Sequence, residues 1–478
     1  MKSEAKIAVT NPRTGKVDFH ITPASADDVK SACRVLRASQ PHWQSKPLAE
    51  RAQILLQFSE KIAEHRDVMV AALSEDTGRY GLSIMETDGV ASSINRWIKT
   101  AEMLNVPSEG RSTSLPFITY SVENRPLPLV GVISPWNFPL TLALIDAIPA
   151  LLAGCSVIIK PSEVTPRFAE PLRKIISEIP ELDAVLTVVD GAGDTGATIG
   201  DHVDAVCFTG SVATGRKVGE QAARNFIPAF LELGGKDPAI VLESADVERA
   251  ATAILRGSII NTGQGCQSIE RVYVHESLFG DFLGLLAVKA KAVALNTPDI
   301  HAGHIGPLIF ARQAEIIQSQ IDDAVSKGAV VHTGGKILDS GGLWCPPTVL
   351  SNVTHDMTVM REETFGPILP VMSFKDADEA VALANDSVFG LSASVFSADT
   401  DEAITVGRRI EAGGISINDA ALTALMYEAE KNSFKLSGLG SSRMGAAGLM
   451  RFFRKQSFMT NTADVFTIEQ FDEANSKP

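Results

Sequence analysis

Val130-Gly131-Val132-Ile133-Ser134, a helical run over 143–154, and Ser156-Val157-Ile158-Ile159-Lys160 together decide the fold of this 478-residue chain. Two short apolar runs flank a longer one, and near-continuous apolar strands of this kind belong to parallel sheets covered on both faces. The unit repeats downstream as helix 165–178, strand 185–189, helix 194–200, strand 205–208, helix 214–224 and strand 228–232. Such alternation predicts βαβ crossovers, with helices packed on either side of the sheet. A second αβ series starts after 234 with Ala239-Ile240-Val241-Leu242, helix 246–261 and Arg271-Val272-Tyr273-Val274, and runs to about 418.

Upstream, helical periodicity predicts helices at 26–39, 47–64, 66–77 and 84–104, the last ending before Pro107. Ser25 followed by Asp27 and Asp28 supplies a cap and acids for the first turn. Residues 109–127 differ, with strand-like segments such as Phe117-Ile118-Thr119-Tyr120-Ser121-Val122. The composition is that of an ordinary globular protein, 45% hydrophobic and 21% charged. A net charge of -14 disfavours nucleic acid and anionic lipid as partners. Five scattered cysteines imply a reducing compartment without a disulfide framework. The first residues, Met1-Lys2-Ser3-Glu4-Ala5-Lys6, have no apolar core for a secretory signal. The longest apolar stretch, 147–159, contains Pro149 and falls short of the roughly 20 residues that span a bilayer. A cytoplasmic location is expected.

Several motifs carry chemistry. Asn261-Thr262-Gly263-Gln264-Gly265-Cys266-Gln267-Ser268 presents one cysteine in a loop of small neighbours, which suits a nucleophile but also a structural thiol. Asp190-Gly191-Ala192-Gly193-Asp194-Thr195-Gly196 contains G-x-G-x-x-G, a dinucleotide fingerprint. Phe208-Thr209-Gly210-Ser211-Val212-Ala213-Thr214-Gly215 serves a pyrophosphate equally well, and spacing does not choose between the two. Lys160-Pro161-Ser162-Glu163 lies at a strand's carboxyl end, where an acid can accept from a ribose diol or simply cap a helix. In Ser134-Pro135-Trp136-Asn137-Phe138-Pro139 an amide is pinned between aromatic rings, as an oxyanion donor or as a plain turn. Phe230-Leu231-Glu232-Leu233-Gly234-Gly235-Lys236 sets a carboxylate in an apolar run, a general base or a salt-bridged acid. Glu362-Glu363-Thr364-Phe365-Gly366-Pro367 adds another acid–aromatic turn, while His301 and His304 lack further ligands, so no metal is expected.

Taken together, in this order and at these spacings, the motifs closely resemble those of the NAD(P)-dependent aldehyde dehydrogenase superfamily, over roughly 10 to 460. The resemblance implies an α/β fold with a Rossmann-type cofactor domain (1–108 and 128–233), an α/β catalytic domain (234–454), a small β oligomerisation arm (109–127 and 455–465) and a C-terminal tail (466–478). It implies Cys266 as nucleophile, Glu232 as general base, and Asn137 with the Cys266 N–H as oxyanion hole. Trp136, Lys160, Glu163, Gly210, Ser211, Leu233, Glu363 and Phe365 are implied as cofactor contacts. By the same likeness the phosphates belong with Gly210-Ser211, and Gly191–Gly196 is an adenine-side turn. The implied partners are NAD, with NADP allowed, a small-molecule aldehyde, and a second copy of the chain in a homodimer or homotetramer. The implied reaction runs through a thiohemiacetal and a thioester that Glu232-activated water hydrolyses.

The departures from the family pattern fall at positions that, in the members it resembles, line or support the substrate funnel and a proton relay. Many members carry Lys where Asp146 stands, an aromatic and glycines where Lys431-Asn432-Ser433 stand, and R-E where Ser441-Ser442 stand. A semialdehyde-specialised enzyme, a CoA-acylating one and a catalytically silent structural relative are the alternatives. Glu232 argues for hydrolysis, and an intact Cys266, Glu232 and Asn137 set argues for activity.

Overall fold

In the computed structural model, which describes residues 6–104 and 108–476, the strand Leu129–Ile133 pairs in parallel with Ser156–Lys160 on one side and Ala205–Thr209 on the other. Leu186–Val188 extends the sheet beyond the first neighbour and Ala229–Glu232 beyond the second. The chain thus builds outward from Leu129–Ile133 in one direction, then returns to build in the other. The strand order reverses between Leu129–Ile133 and Ala205–Thr209, which opens a crevice at their carboxyl ends. A short antiparallel strand, Gly438–Leu439, closes the far edge and sets Gly438 opposite Glu232.

The helix between the first two strands, Pro139–Ala153, has proline in its first turn, where a missing N–H costs nothing. Gly154, at φ 104°, ends it in the left-handed region. Nearly every residue of the helix is buried. Its N-terminus is capped from afar: a Glu86 carboxylate oxygen accepts from the Leu140 and Thr141 N–H groups at 3.1 and 3.0 Å. Glu86 lies on the helix Tyr80–Leu104. The end of that helix before Pro107 lies outside the described residues.

The first helix runs Ala26–Ser45, past the residue 39 expected, with Pro41 inside it. Tertiary contacts hold the extra turn: Trp43 is buried with its indole N–H donating to Leu151 O at 2.9 Å, and Gln40 donates to Gly154 O at 2.9 Å. Packing of this kind outweighs the lost backbone hydrogen bond at proline.

The second sheet has seven strands in the order Val330–Thr333, Thr348–Ser351, Ile368–Phe374, Ile269–His275, Asp237–Val241, Ser392–Phe396 and Gly414–Ile417. All pairs are parallel except the first. Ser108–Arg111, Ile118–Pro126 and Phe453–Asn461 form a separate three-stranded antiparallel sheet, with Ile118–Pro126 in the middle. Beyond it the described residues make two short 3-10 turns, Ile468–Phe471 and Glu473–Ser476. Among the described residues no helix is long and apolar enough to cross a membrane, and no group of His, Cys, Asp and Glu could hold a metal ion.

Candidate active site

Helix Val247–Ile259 stops two residues short of the 261 expected, because Asn261, Thr262 and Gly263 all take left-handed conformations at φ 56°, 59° and 72°. Left-handed β-branched residues are strained, so the surroundings must hold them. Thr262 donates to Gly306 O at 2.9 Å, and Asn261 donates to Asn137 O at 2.8 Å and Gln264 O at 3.0 Å. A Cβ on Gly263 would run into the Gly366 backbone, so only glycine lets the two turns touch. Gln264 is fully buried; its amide donates to Asn261 O and Pro307 O, and its oxygen accepts from Ile309 N–H. The loop that delivers Cys266 is therefore rigid.

Cys33, Cys155, Cys207 and Cys345 are buried, whereas Cys266 is partly exposed. It opens into a cavity of about 180 Å³ that Asn137, Glu232, Lys431 and Arg443 also line. Phe138, Leu142, Ile145, Ile260, Tyr427 and Met444 give this cavity an apolar wall. Burial pushes the Cys266 thiol up to about 12, and the Lys431 ammonium opposes that rise.

Asn137 is fixed at both ends. Its amide donates to Gln264 O at 2.9 Å, and its backbone carbonyl accepts from Arg79 at 3.1 Å as well as from Asn261. One amide hydrogen remains for a ligand. Arg79 in turn pairs with Glu86 at 3.3 Å and lies over the Phe138 ring, which ties this turn to the capped helix. Glu232 ends its strand with Ser433 donating to one carboxylate oxygen at 3.4 Å and Arg443 facing the other at 3.8 Å.

The residues implied for the cofactor lie along the crevice. Gly210 follows Thr209 at the strand-order reversal, its N–H donating to Glu232 O at 3.1 Å. Ser211 caps the helix Val212–Arg224, whose first-turn N–H groups form an anion site. Leu233 packs against that helix so closely that a Cβ on Gly215 would meet it at 2.5 Å. The Gly191–Gly196 turn follows Leu186–Val188 at the sheet's edge, away from the reversal. The buried Lys160 ammonium donates to Gly191 O at 2.8 Å and pairs with Glu163 at 3.3 Å. Trp136 meets Phe365 edge-on, ring centroids 5.2 Å apart. A Glu363 oxygen accepts from Gly235 N–H at 3.0 Å, and burial pushes this carboxyl up to about 8, with Glu270 adding to the rise. Carboxylates, a helix N-terminus and an aromatic pair in one crevice fit a dinucleotide.

The pairings of some supporting residues carry no signal in the sequence. Lys236, fully buried, pairs with Glu270 at 2.7 Å, and Glu270 accepts from Thr364 and Phe365 N–H groups at 2.7 and 2.8 Å. That pair pins the Glu363–Phe365 turn. Arg443 and its partner Asp146 likewise meet only in three dimensions, at 2.8 Å.

Comparison with known proteins gives one family. The model of the aldehyde dehydrogenase family matches residues 1–458. The chain belongs to the aldehyde dehydrogenase family. Among solved structures, PutA from Anabaena variabilis, provisionally named an aldehyde dehydrogenase, is 54% identical with a TM-score of 0.95, over 98% of this chain and all of that one (100%). Betaine aldehyde dehydrogenase from Staphylococcus aureus, in complex with NAD+, is 30% identical with a TM-score of 0.91, over 97% of this chain and 93% of that one. A protein of Mycobacterium ulcerans, provisionally named succinate-semialdehyde dehydrogenase [NADP(+)] 2, is 33% identical over 461 residues, 95% of this chain and 88% of its own. This aldehyde dehydrogenase is thus an NAD(P)-dependent oxidoreductase with the α/β fold expected from its strand–helix alternation.

Proposed function

We propose that this enzyme oxidises an aldehyde to the carboxylic acid, with Cys266 as nucleophile, Glu232 as general base, and Asn137 with the Cys266 N–H as the oxyanion hole. The observation that carries this reading is that Cys266, Glu232 and Asn137, from three separate segments, line one cavity. The Cys266 S–H bond breaks, its proton passing to solvent water, and the sulfur attacks the carbonyl carbon; a C–S bond forms and the carbonyl electron pair moves onto oxygen, where Asn137 stabilises it. Bound NAD(P)+ supplies the hydride acceptor that converts the adduct to a thioester. Glu232 then takes a proton from water, the water oxygen attacks the thioester carbon, and the C–S bond breaks to release the acid.

Trp136, Lys160, Glu163, Gly210, Ser211, Leu233, Glu363 and Phe365 are the proposed cofactor contacts. NAD is the proposed cofactor in preference to NADP, from the Glu163 carboxylate. The three-stranded sheet at 108–126 and 453–461 is the proposed self-association arm, and the location is read as cytoplasmic. The proposed domain bounds are 1–108 with 128–233, and 234–454.

A second reading narrows the substrate to an aldehyde with an anionic tail. One observation favours it: Lys431 lines the same cavity as Cys266, and its ammonium makes no ion pair or hydrogen bond among the described residues. The relative named for succinate semialdehyde fits that chemistry.

The test is NADH absorbance with a panel of aldehydes, with and without CoA. Turnover without CoA that Cys266→Ala abolishes is expected; strict dependence on CoA overturns the hydrolytic reading.

A further inference from the structure

The carboxylate that activates water faces a cation with an unused donor. Arg443 is buried, and one of its terminal nitrogens, Nη2, is held by Asp146 at 2.8 Å and by the Thr209 hydroxyl at 2.7 Å. Asp146 is itself buried and clamped from its other oxygen by Arg451, which lies over the Phe230 ring at 4.9 Å. Burial alone would raise the Asp146 carboxyl, but the two guanidinium groups outweigh it and hold Asp146 below the ordinary range. It stays ionised and keeps Arg443 from turning away. The Arg443 Nε–H is buried and has no acceptor among the described residues, and Nε faces a Glu232 oxygen 3.8 Å away. A buried donor without a partner is costly, so a small shift of the Glu232 carboxylate toward it is favoured.

We propose that Arg443, locked by Asp146 and Thr209, is the positioning residue for Glu232: its Nε–H receives the carboxylate and aims the other oxygen at the hydrolytic water. The planar guanidinium suits this because it presents N–H groups along two edges at once, one to Asp146 and one to Glu232. An arginine does not give up its proton in this range, and Asp146 is already paired. The proton taken from water is therefore not passed on to Arg443 or Asp146.

The inference rests on Glu232 as general base, and the experiment separates the two claims. Stopped-flow NADH absorbance with a neutral aldehyde resolves thioester formation as a burst and hydrolysis as the steady state. Glu232→Gln tests the base itself: a normal burst with hydrolysis lost by about 10²-fold or more upholds it. Arg443→Met is expected to give a full burst at near wild-type rate and a steady state slowed at least about tenfold, a fraction of what a general base supplies. Arg443→Lys keeps the charge and the Asp146 pair and is expected to recover part of that loss. If Arg443→Met leaves hydrolysis within about twofold of wild type, or slows burst and steady state by one common factor, the positioning role is overturned. Should Arg443→Met fail to fold, Arg443→Lys decides: slowed hydrolysis behind a normal burst supports the role, and an unchanged ratio of the two rates overturns it.

Discussion

The side-chain amide of Asn137 donates to the backbone carbonyl of Gln264, 2.9 Å away and two residues before Cys266. This bond, with the one from Asn261 to Asn137 O, joins the turn after the first sheet strand to the loop that presents the thiol. The proposed oxyanion donor and the proposed nucleophile thus move as one unit.

Asn137→Ala removes both the donor and this tie. Loss of one oxyanion donor costs about 10²–10³ in kcat. A burst of NADH slowed by that factor, with NAD affinity unchanged by fluorescence titration, is expected. A burst at wild-type rate removes Asn137 from the chemistry.

Burial pushes the Cys266 thiol up to about 12. Only the thiolate reacts with iodoacetamide, and its fraction rises about tenfold per pH unit below the pKa. Alkylation of Cys266, followed by mass spectrometry, is expected to accelerate steadily from pH 7 to 10. A plateau below pH 9 contradicts the burial argument.

Glu163 and Arg167 bear on cofactor choice. A 2′-phosphate beside the Glu163 carboxylate meets repulsion, and Arg167 is occupied by Asp76 at 2.7 Å, Glu75 at 3.2 Å and Asp18. The kcat/KM for NAD is expected to exceed that for NADP, and Glu163→Gln to narrow the gap. A clear preference for NADP in the wild type rejects the reading.

Lys431→Met is expected to raise KM for a semialdehyde about tenfold while leaving a neutral aldehyde of the same length within about twofold. A tail contact acts equally in ground and transition states, so kcat should hold. Equal changes for both substrates leave Lys431 without a role in selecting the tail.

Much of this was legible in the residues because it depends on local pattern. Apolar runs alternating with helical periodicity in 129–232 specify parallel strands whatever surrounds them. Gly263, Gly265 and Cys266 announce a loop that comes close to something, since few residues fit such backbone. Lys431 illustrates the limit. Within 426–435 it reads as one charge among several, and charge runs usually face water. The fold turns it into the cavity beside Cys266.

The sequence by itself determined the order of strands and helices and the turns that end at the crevice, because those follow from periodicity and steric rules acting over a few residues; Cys266 was singled out among the thiols by the family resemblance. Tertiary structure alone decided that the first helix runs on through Pro41, where Trp43 finds Leu151 O. It also decided that Lys236 and Glu270 pin the Glu363–Phe365 turn, and that Asp146 holds Arg443 against Glu232. Each is a pairing of buried charges or donors from distant segments. Burial makes an unpaired polar group costly, and only the packed fold determines which partner stands within reach to relieve that cost.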